Sequence, residues 1–347
     1  MLDNTAFGSR YGKTDGGRIA GRIVKRYDIK MKIVTFLREN PDTYVSGETL
    51  SDKLGFSRAA LWKYIKEIRE EGYVVEAAPR SGYKLKDEPD RIYGYSLAGQ
   101  LETNVIGKTG EVLQYDEIGS TNDKAYELAE SGAPEGTVVI ASSQSKGKGR
   151  MGRKWISPKN GGLYLSVILR PPADINEVPS LTLVAALSVS RAIKALTGLD
   201  AGIKWPNDIL LNGKKVCGIL TEMKAQPDKV DFLVLGIGLN VDTWQKDLPD
   251  EAVSLREVTG EKVGLTRTAK CLLEEMEKDY FTFKKDGFSG LRNECRKLSL
   301  VLDRVVEVSH HGKRIKGTAI DLDEAGALIV RTEEDQRVRI LSGDVVL

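Results

Sequence analysis

The stretch Gln144-Ser145-Lys146-Gly147-Lys148-Gly149-Arg150-Met151-Gly152-Arg153-Lys154-Trp155 decides the architecture of the central part of this 347-residue chain. Gly147, Gly149 and Gly152 satisfy the G-x-G-x-x-G spacing of a dinucleotide fingerprint, and the β-rich run 137–142 precedes them. That fingerprint requires a helix directly after the last glycine, because the pyrophosphate rests on the helix N-terminus. Here the chain instead enters Ser157-Pro158-Lys159-Asn160-Gly161-Gly162, which cannot be that helix. A phosphate loop of the Walker type is excluded as well, since no Gly-Lys-Ser/Thr closes the glycine run. What remains is a flexible loop that wraps an anion with backbone N–H groups while Lys148, Arg150 and Arg153 supply charge. The alternative is an ordinary solvated basic loop.

Outward from the loop, strand and helix patterns alternate. Runs 137–142 and 163–169 are β-rich, 178–196 has helical periodicity, and 208–211, 216–223 and 232–235 are further strand candidates. Asn212-Gly213 is a strong hairpin turn. The pattern predicts an α+β domain on a mixed sheet. Ser120-Thr121-Asn122 opens a helix; one side chain suffices for a cap, so three hydrogen-bonding groups also suit a compact polar head group. Lys204-Trp205-Pro206-Asn207-Asp208 sets a lysine at a strand end before a proline-fixed turn. Gly236-Ile237-Gly238-Leu239-Asn240 ends an apolar strand with glycines that permit close approach. Trp155 and Trp205 suit either stacking on a ligand or core packing, and Cys217, inside an apolar strand, reads as a small buried hydrophobe.

Farther out lie two smaller pieces. Residues 31–38 suit a first amphipathic helix, 46–54 a second with Gly55 as its C-cap, and Ser57 caps a third. On the third, Leu61, Tyr64, Ile65 and Ile68 form one stripe, while Ala59, Trp62, Lys63 and Lys66 face the other way. Two short strands around Pro79-Arg80-Ser81 form a wing. Together these predict a winged helix-turn-helix over 31–86, with Ser57, Arg58, Trp62, Lys63, Lys66 and Arg80 meeting DNA. A helical domain for protein contacts is the blander alternative. A polar linker spans 87–95, the central domain 96–296, and a tail of short strands 297–347, with His310-His311-Gly312 in a turn. Residues 1–30 lack an apolar core segment and read as a disordered extension rather than a signal peptide, with a fresh start at Met31.

Composition excludes several classes. The 52 Lys and Arg nearly balance 50 Asp and Glu, so any polyanion site must come from local clustering. Three dispersed cysteines form neither a disulfide framework nor a zinc site and fit a reducing cytoplasm. Apolar runs fall short of a membrane span, so no membrane partner is expected. Two adjacent histidines leave the body of the chain without imidazole chemistry.

Read together, Ser120-Thr121-Asn122, Gln144, Gly147-Lys148-Gly149-Arg150, Lys204-Trp205-Pro206-Asn207-Asp208, Lys215-Val216-Cys217-Gly218-Ile219-Leu220 and Gly236-Ile237-Gly238-Leu239-Asn240 resemble the biotin protein ligases, in particular the bifunctional kind that represses the biotin operon. The resemblance runs from about Met31 to the end. It implies a class II aminoacyl-tRNA-synthetase-like ligase domain, an SH3-like barrel at the C-terminus, and formation of biotinyl-AMP from biotin and ATP with Mg2+. Transfer to a lysine of a biotin carboxyl carrier protein follows. Implied at the biotin site are Ser120, Thr121, Asn122, Gln144, Lys148, Gly149, Arg150 and Lys204. Implied at the nucleotide are Gly147, Lys148, Arg150, Arg153, Trp155, Asn207, Lys215 and Asn240, with Arg150 and Lys204 catalytic. A homodimer bound to operator DNA when biotinyl-AMP fills the site is also implied, and the metal ligands are open.

One departure stands out. Lys148 replaces the family's usual arginine and Met151 follows Arg150; a lysine lacks the bidentate fork. The chemistry is consistent with the sequence, because an attacking carboxylate is already ionised at neutral pH and needs no general base. Two other readings remain: a biotin-sensing repressor without turnover, against which the phosphate-handling loop argues, and a lipoate ligase, whose characteristic motifs are absent.

Overall fold

A computed structural model describes residues 29–89, 91–159, 161–172, 175–226, 229–310 and 313–346, apart from the side chains at 310 and 313. The extension read over 1–30 lies almost wholly outside the described residues, as do His311 and Gly312 of the tail turn. The chain forms two compact units, one up to Glu102 with Val112–Gln114, the other Thr103–Glu111 with Tyr115–Leu347.

In the first unit, α1 covers 29–38 and α2 Gly47–Leu54. Ser46 Oγ caps α2 by accepting from Thr49 N, and Gly55 ends it at φ 71 in the left-handed region that favours glycine. Ser57 then caps α3 (Arg58–Glu70), as the sequence predicts. Ile33, Val34, Leu37, Leu50, Leu61, Ile65 and Ile68 form its core, each such side chain stabilising the fold by roughly 1.5–3 kcal/mol. The wing is β1 (Val74–Ala78) against β2 (Gly82–Asp87), antiparallel, and Val45 exchanges two 2.8 Å backbone bonds with Tyr83 as a third short strand. Next comes α4 (Gly94–Gln100). Part of the stretch read as linker packs on this core: Tyr95 is buried, its hydroxyl donates to Glu71 at 2.5 Å, and the Tyr93 hydroxyl donates to the Glu71 carbonyl at 2.6 Å.

The second unit is built on a mixed sheet. β3 (Val112–Tyr115) is divided between the units; beyond it the chain at Ile118 runs parallel to Gln144. After α5 (Thr121–Glu130) and β4 (Val138–Ala141) comes β5 (Gly162–Leu169), all of it buried. The long helix α6 (Val178–Thr197) is apolar enough to cross a membrane by length and composition, yet it is mainly buried inside the protein and packs against a later helix. β6 (Gly202–Lys204), β7 (Asp208–Leu211), β8 (Lys214–Gln226) and β9 (Lys229–Asn240) complete the antiparallel run β4-β5-β9-β8-β7-β6. The β7–β8 turn has Asn212 at φ 51 and Gly213 at φ 77, the backbone demanded by a two-residue hairpin. α7 (Leu255–Thr259), α8 (Leu265–Asp286) and α9 (Ser289–Lys297) follow, with α8 packing on α6. On α8, Asp279 is buried; Ser188 Oγ donates to it at 2.8 Å and Arg191 pairs with it.

The tail is a five-stranded antiparallel sheet in the order β13-β12-β11-β10-β14. Its strands are β10 (Val305–His310), β11 (Lys313–Leu322), β12 (Leu328–Thr332), β13 (Arg337–Ile340) and β14 (Asp344–Val346). The first four follow the sequence pattern. β14, three residues long, does not appear in it.

Candidate functional site

Two adjoining cavities open in the second unit. The inner one, about 50 Å3, is lined by Ser120, Thr121, Asn122, Gln144 and Lys148 and by the backbone of β8 and β9. The outer one, about 330 Å3, is lined by Arg153, Lys154, Asp208, Asn240, Leu248 and Asp344 among others. Both share Gly149, Arg150, Trp155, Asn207 and Lys215, so the basic loop and the turn after β6 form a common wall.

The polar floor of the inner cavity comes from the start of α5. Ser120 is the N-cap and is buried, its hydroxyl accepting from Asp123 N at 3.5 Å. Thr121 and Asn122 do more than cap. Ser166 Oγ stands 2.8 Å from Thr121 Oγ1 and 2.6 Å from Asn122 Oδ1, and its single proton serves one acceptor at a time. Thr121 N donates to Gln144 Oε1 at 2.8 Å, and Gln144 Nε2 donates to Ser157 Oγ at 3.0 Å. Asn122 Nδ2 donates to the Leu220 carbonyl at 3.2 Å and to Glu222 Oε2 at 2.8 Å. These bonds fix the orientation of each side chain and tie helix, loop and sheet together.

Ser166, Glu222, Asp123 and Asp344 are site residues that the sequence reading missed. A signal for Ser166 exists: a lone hydroxyl inside the apolar run 163–169 must find a partner when buried. Nothing local marks the three carboxylates, because their partners are distant in sequence.

The basic loop folds as a narrow hairpin rather than a solvated strap. Lys148 pairs antiparallel with Lys154, and Trp155 N donates to the Gly147 carbonyl at 3.0 Å. Met151, at φ 55, forms the exposed tip. Among the described residues, every cation of this loop that lines a cavity, apart from Lys154, has an acidic partner. Lys148 pairs with Asp123 and lies 3.7 Å from Glu222 Oε1, and its hydrogen bond to Asp123 raises its pKa. Arg150 donates to Asn207 Oδ1 at 2.9 Å and to the Gly343 carbonyl at 3.3 Å, with Asp344 Oδ1 3.9 Å away. Burial lowers the Arg150 guanidinium pKa below its ordinary value. Arg153 pairs with Asp344, and Lys215 Nζ pairs with Asp208 at 2.7 Å while lying 5.4 Å from the centre of the Trp155 ring.

The strand read at 232–235 is longer, β9 running from Lys229 through the two glycines to end at Asn240. A Cβ at Gly236 would lie 1.9 Å from Asn122 Oδ1, and one at Gly238 would lie 2.4 Å from the Trp155 ring. The room they leave is thus filled by Asn122 and Trp155. Asn240 is buried, with Nδ2 donating to the Val253 carbonyl at 3.2 Å and Oδ1 buried without a partner among the described residues.

Trp205 resolves to core packing: it is buried and its Nε1 donates to the Gly326 carbonyl at 3.0 Å. Trp155 lines both cavities. Lys204, at the end of β6, is half-buried and lines neither cavity; Lys215 occupies the shared wall instead. Cys217 is buried, and burial pushes its thiol up, as befits an inert hydrophobe. No group of three His, Cys, Asp or Glu that would hold a metal occurs among the described residues.

In the first unit, α3 presents a separate face. Trp62 is 62% exposed, large for an aromatic side chain with nothing to cover it. Ser57, Lys63, Lys66 and Arg80 are exposed, and Arg58, also exposed, pairs with Glu48 at 2.9 Å.

Comparison with known proteins agrees with this geometry. Residues 115–240 match the biotin/lipoate A/B protein ligase family, 30–84 match an HTH domain, and 301–347 match the biotin protein ligase C terminal domain. The bifunctional ligase/repressor BirA of Bacillus spizizenii is 38% identical, over 93% of this chain and 99% of its own length. That of Escherichia coli is 29% identical, over 89% and 94%. A structure of biotin protein ligase from Aquifex aeolicus in complex with biotin and ATP superposes with a TM-score of 0.59 at 33% identity, covering 68% of this chain and 97% of that one. Three domains matched in order, together with near-complete coverage of the Bacillus relative, mean that the chain belongs to the family of bifunctional ligase/repressor BirA proteins.

Proposed function

We propose that the protein is an ATP-dependent biotin protein ligase that also represses transcription of the biotin operon. The observation that carries this reading is the pair of cavities sharing one wall of Arg150, Lys215 and Trp155, which suits a ligand made of two joined halves. In the first step a carboxylate oxygen of biotin attacks the α-phosphorus of ATP. The new O–P bond replaces the bond to the β-phosphate, and pyrophosphate leaves. The carboxylate is already ionised at neutral pH, so the residues need only neutralise charge. Arg150, reaching both cavities, is assigned to the charge growing on the α-phosphate, helped by Lys148 from the biotin side and Arg153 from the nucleotide side. In the second step a lysine amine of a biotin carboxyl carrier protein attacks the acyl carbon, the C–N bond forms, and AMP leaves.

The inner cavity is assigned to the biotin ring, with Ser120, Thr121, Asn122, Gln144 and Gly149 around it. Gly147, Trp155, Asn207, Lys215 and Asn240 are assigned to the nucleotide, the partnerless Asn240 Oδ1 suiting an adenine amino group. Lys204 keeps its catalytic assignment from its place immediately before Trp205-Pro206-Asn207. Mg2+ would be held mainly by the phosphates of ATP, with Asp208, Glu251 and Asp344 the carboxylates that the outer cavity would offer it. The head binds operator DNA through α3 and the wing, using Ser57, Arg58, Trp62, Lys63, Lys66 and Arg80. Biotinyl-AMP favours a homodimer by ordering the site, and the protein works in the cytoplasm.

Incubating the full chain with biotin, labelled ATP and a carrier-protein domain tests the enzymatic half. Biotin-dependent AMP release with labelling of the carrier is expected. Biotin binding without AMP release would instead leave a biotin-sensing repressor, and activity with lipoate alone would leave a lipoate ligase.

A further inference from the structure

We propose that Asp344 is a positioning residue that holds Arg150 and Arg153 of the basic loop at the mouth of the outer cavity. This rests on the reading of that loop as the phosphate-handling element. Two guanidiniums three residues apart repel one another, and Asp344 is the carboxylate near both: it pairs with Arg153 and lies 3.9 Å from Arg150. Its backbone neighbour takes part as well, since the Gly343 carbonyl accepts from Arg150 at 3.3 Å. The position of that carbonyl is fixed by the tail sheet. Asp344 pairs in register with Ser309 of β10, and a Cβ at position 343 would lie 2.6 Å from the Ser309 carbonyl. Only glycine lets the chain pass there without displacing that strand. The last strand of the tail and the glycine before it thus deliver one carboxylate and one carbonyl to a loop about 190 residues earlier in the chain.

The Asp344–Arg153 pair is only partly shielded, the Arg153 side chain being 67% exposed, so it biases the loop rather than locking it. Without Asp344 the two arginines spread, and the nucleotide meets a loop that must be gathered at its own cost. The effect falls more on ATP than on biotin, because Arg153 lines only the outer cavity while Lys148 of the inner one has its separate partners Asp123 and Glu222.

The test uses full-length protein carrying Asp344→Asn and, as the charge-restoring control, Asp344→Glu. In the absence of ligand, trypsin should cut after Arg150 and Arg153 about fivefold faster in Asp344→Asn than in the parent, with Asp344→Glu close to the parent. In the ligase assay Asp344→Asn should raise KM for ATP by about fivefold, more than it changes KM for biotin, with Asp344→Glu restoring the value. Equal cleavage rates, or an unchanged KM for ATP in an active enzyme, overturn the proposal. A parent protein that makes no AMP overturns the ligase reading instead, and the trypsin comparison still decides whether Asp344 holds the loop.

Discussion

The outer face of α3 and the loop at 144–155 are both short basic stretches carrying a tryptophan, and the structure treats them in opposite ways. On α3 the cations stand out: Lys66 is 3.9 Å from Glu70 across one helical turn, Lys63 makes no ion pair among the described residues, and Trp62 is uncovered. In the loop, Lys148, Arg150 and Arg153 are already matched by Asp123, Glu222, Asn207 and Asp344, and Trp155 is folded against Lys215. A face that meets an extended polyanion keeps its charges solvated and exchanges counterions on binding. A site that must grip one small anion in fixed geometry holds its charges in place beforehand, so that little reorganisation remains when the reaction occurs. Equal local composition therefore encodes two different kinds of electrostatics.

The sharpest way to break this contrast is to remove one preorganised charge. Arg150→Ala should slow biotin-dependent AMP formation by about a hundredfold, consistent with losing a charge-assisted hydrogen bond of roughly 1.5–3 kcal/mol. Lys204→Ala, from a position lining neither cavity, should cost about tenfold at most; normal adenylate formation in that variant would remove Lys204 from the catalytic set. On the other side of the comparison, Lys63→Ala should weaken operator binding by a few-fold. It should also lower the slope of log affinity against log salt by about 1, and leave AMP formation untouched. A strong dependence of the loss on operator sequence would mean that Lys63 reads bases rather than phosphates.

The smallest effect concerns stability of the ligase unit alone. Burial pushes the Asp279 carboxyl up to about 6, against the hydroxyl of Ser188 and the Arg191 charge, which act to lower it. The folded protein therefore holds a proton that the unfolded chain releases above its ordinary value of 3.8. This contribution is complete below about pH 4 and drains away as pH rises through 6. Asp279→Asn should flatten the pH dependence of unfolding in that window, and an unchanged profile would show that the residue is ionised in the fold.

Much of this was legible in the sequence where the determinant is local. Ser57 and Ser120 as caps, Gly55 as a left-handed terminator and Asn212-Gly213 as a turn all act within a few residues, and each is found where expected. What escaped was set by distant partners. β9 continues through Gly236 and Gly238 because β5 and β8 pair with it on both sides, overriding the weak strand preference of glycine. β14 is too short to show a period, and it carries Asp344. The network of Ser166, Thr121, Asn122 and Glu222 joins residues up to 100 positions apart, and no spacing rule announces such a group.

The two-residue hairpin at Asn212-Gly213 has one more consequence. It sets the pairing of β7 with β8, in which Asp208 stands opposite Gly218. At Gly218 a side chain would meet the Trp155 ring at 3.0 Å and Lys215 Cε at 3.1 Å. Because strand side chains alternate, a one-residue slip of β8 against both β7 and β9 would bring Cys217 or Ile219 against the indole. The short bend on one side and the long partner strand on the other thus keep position 218, the one without a side chain, turned toward the indole.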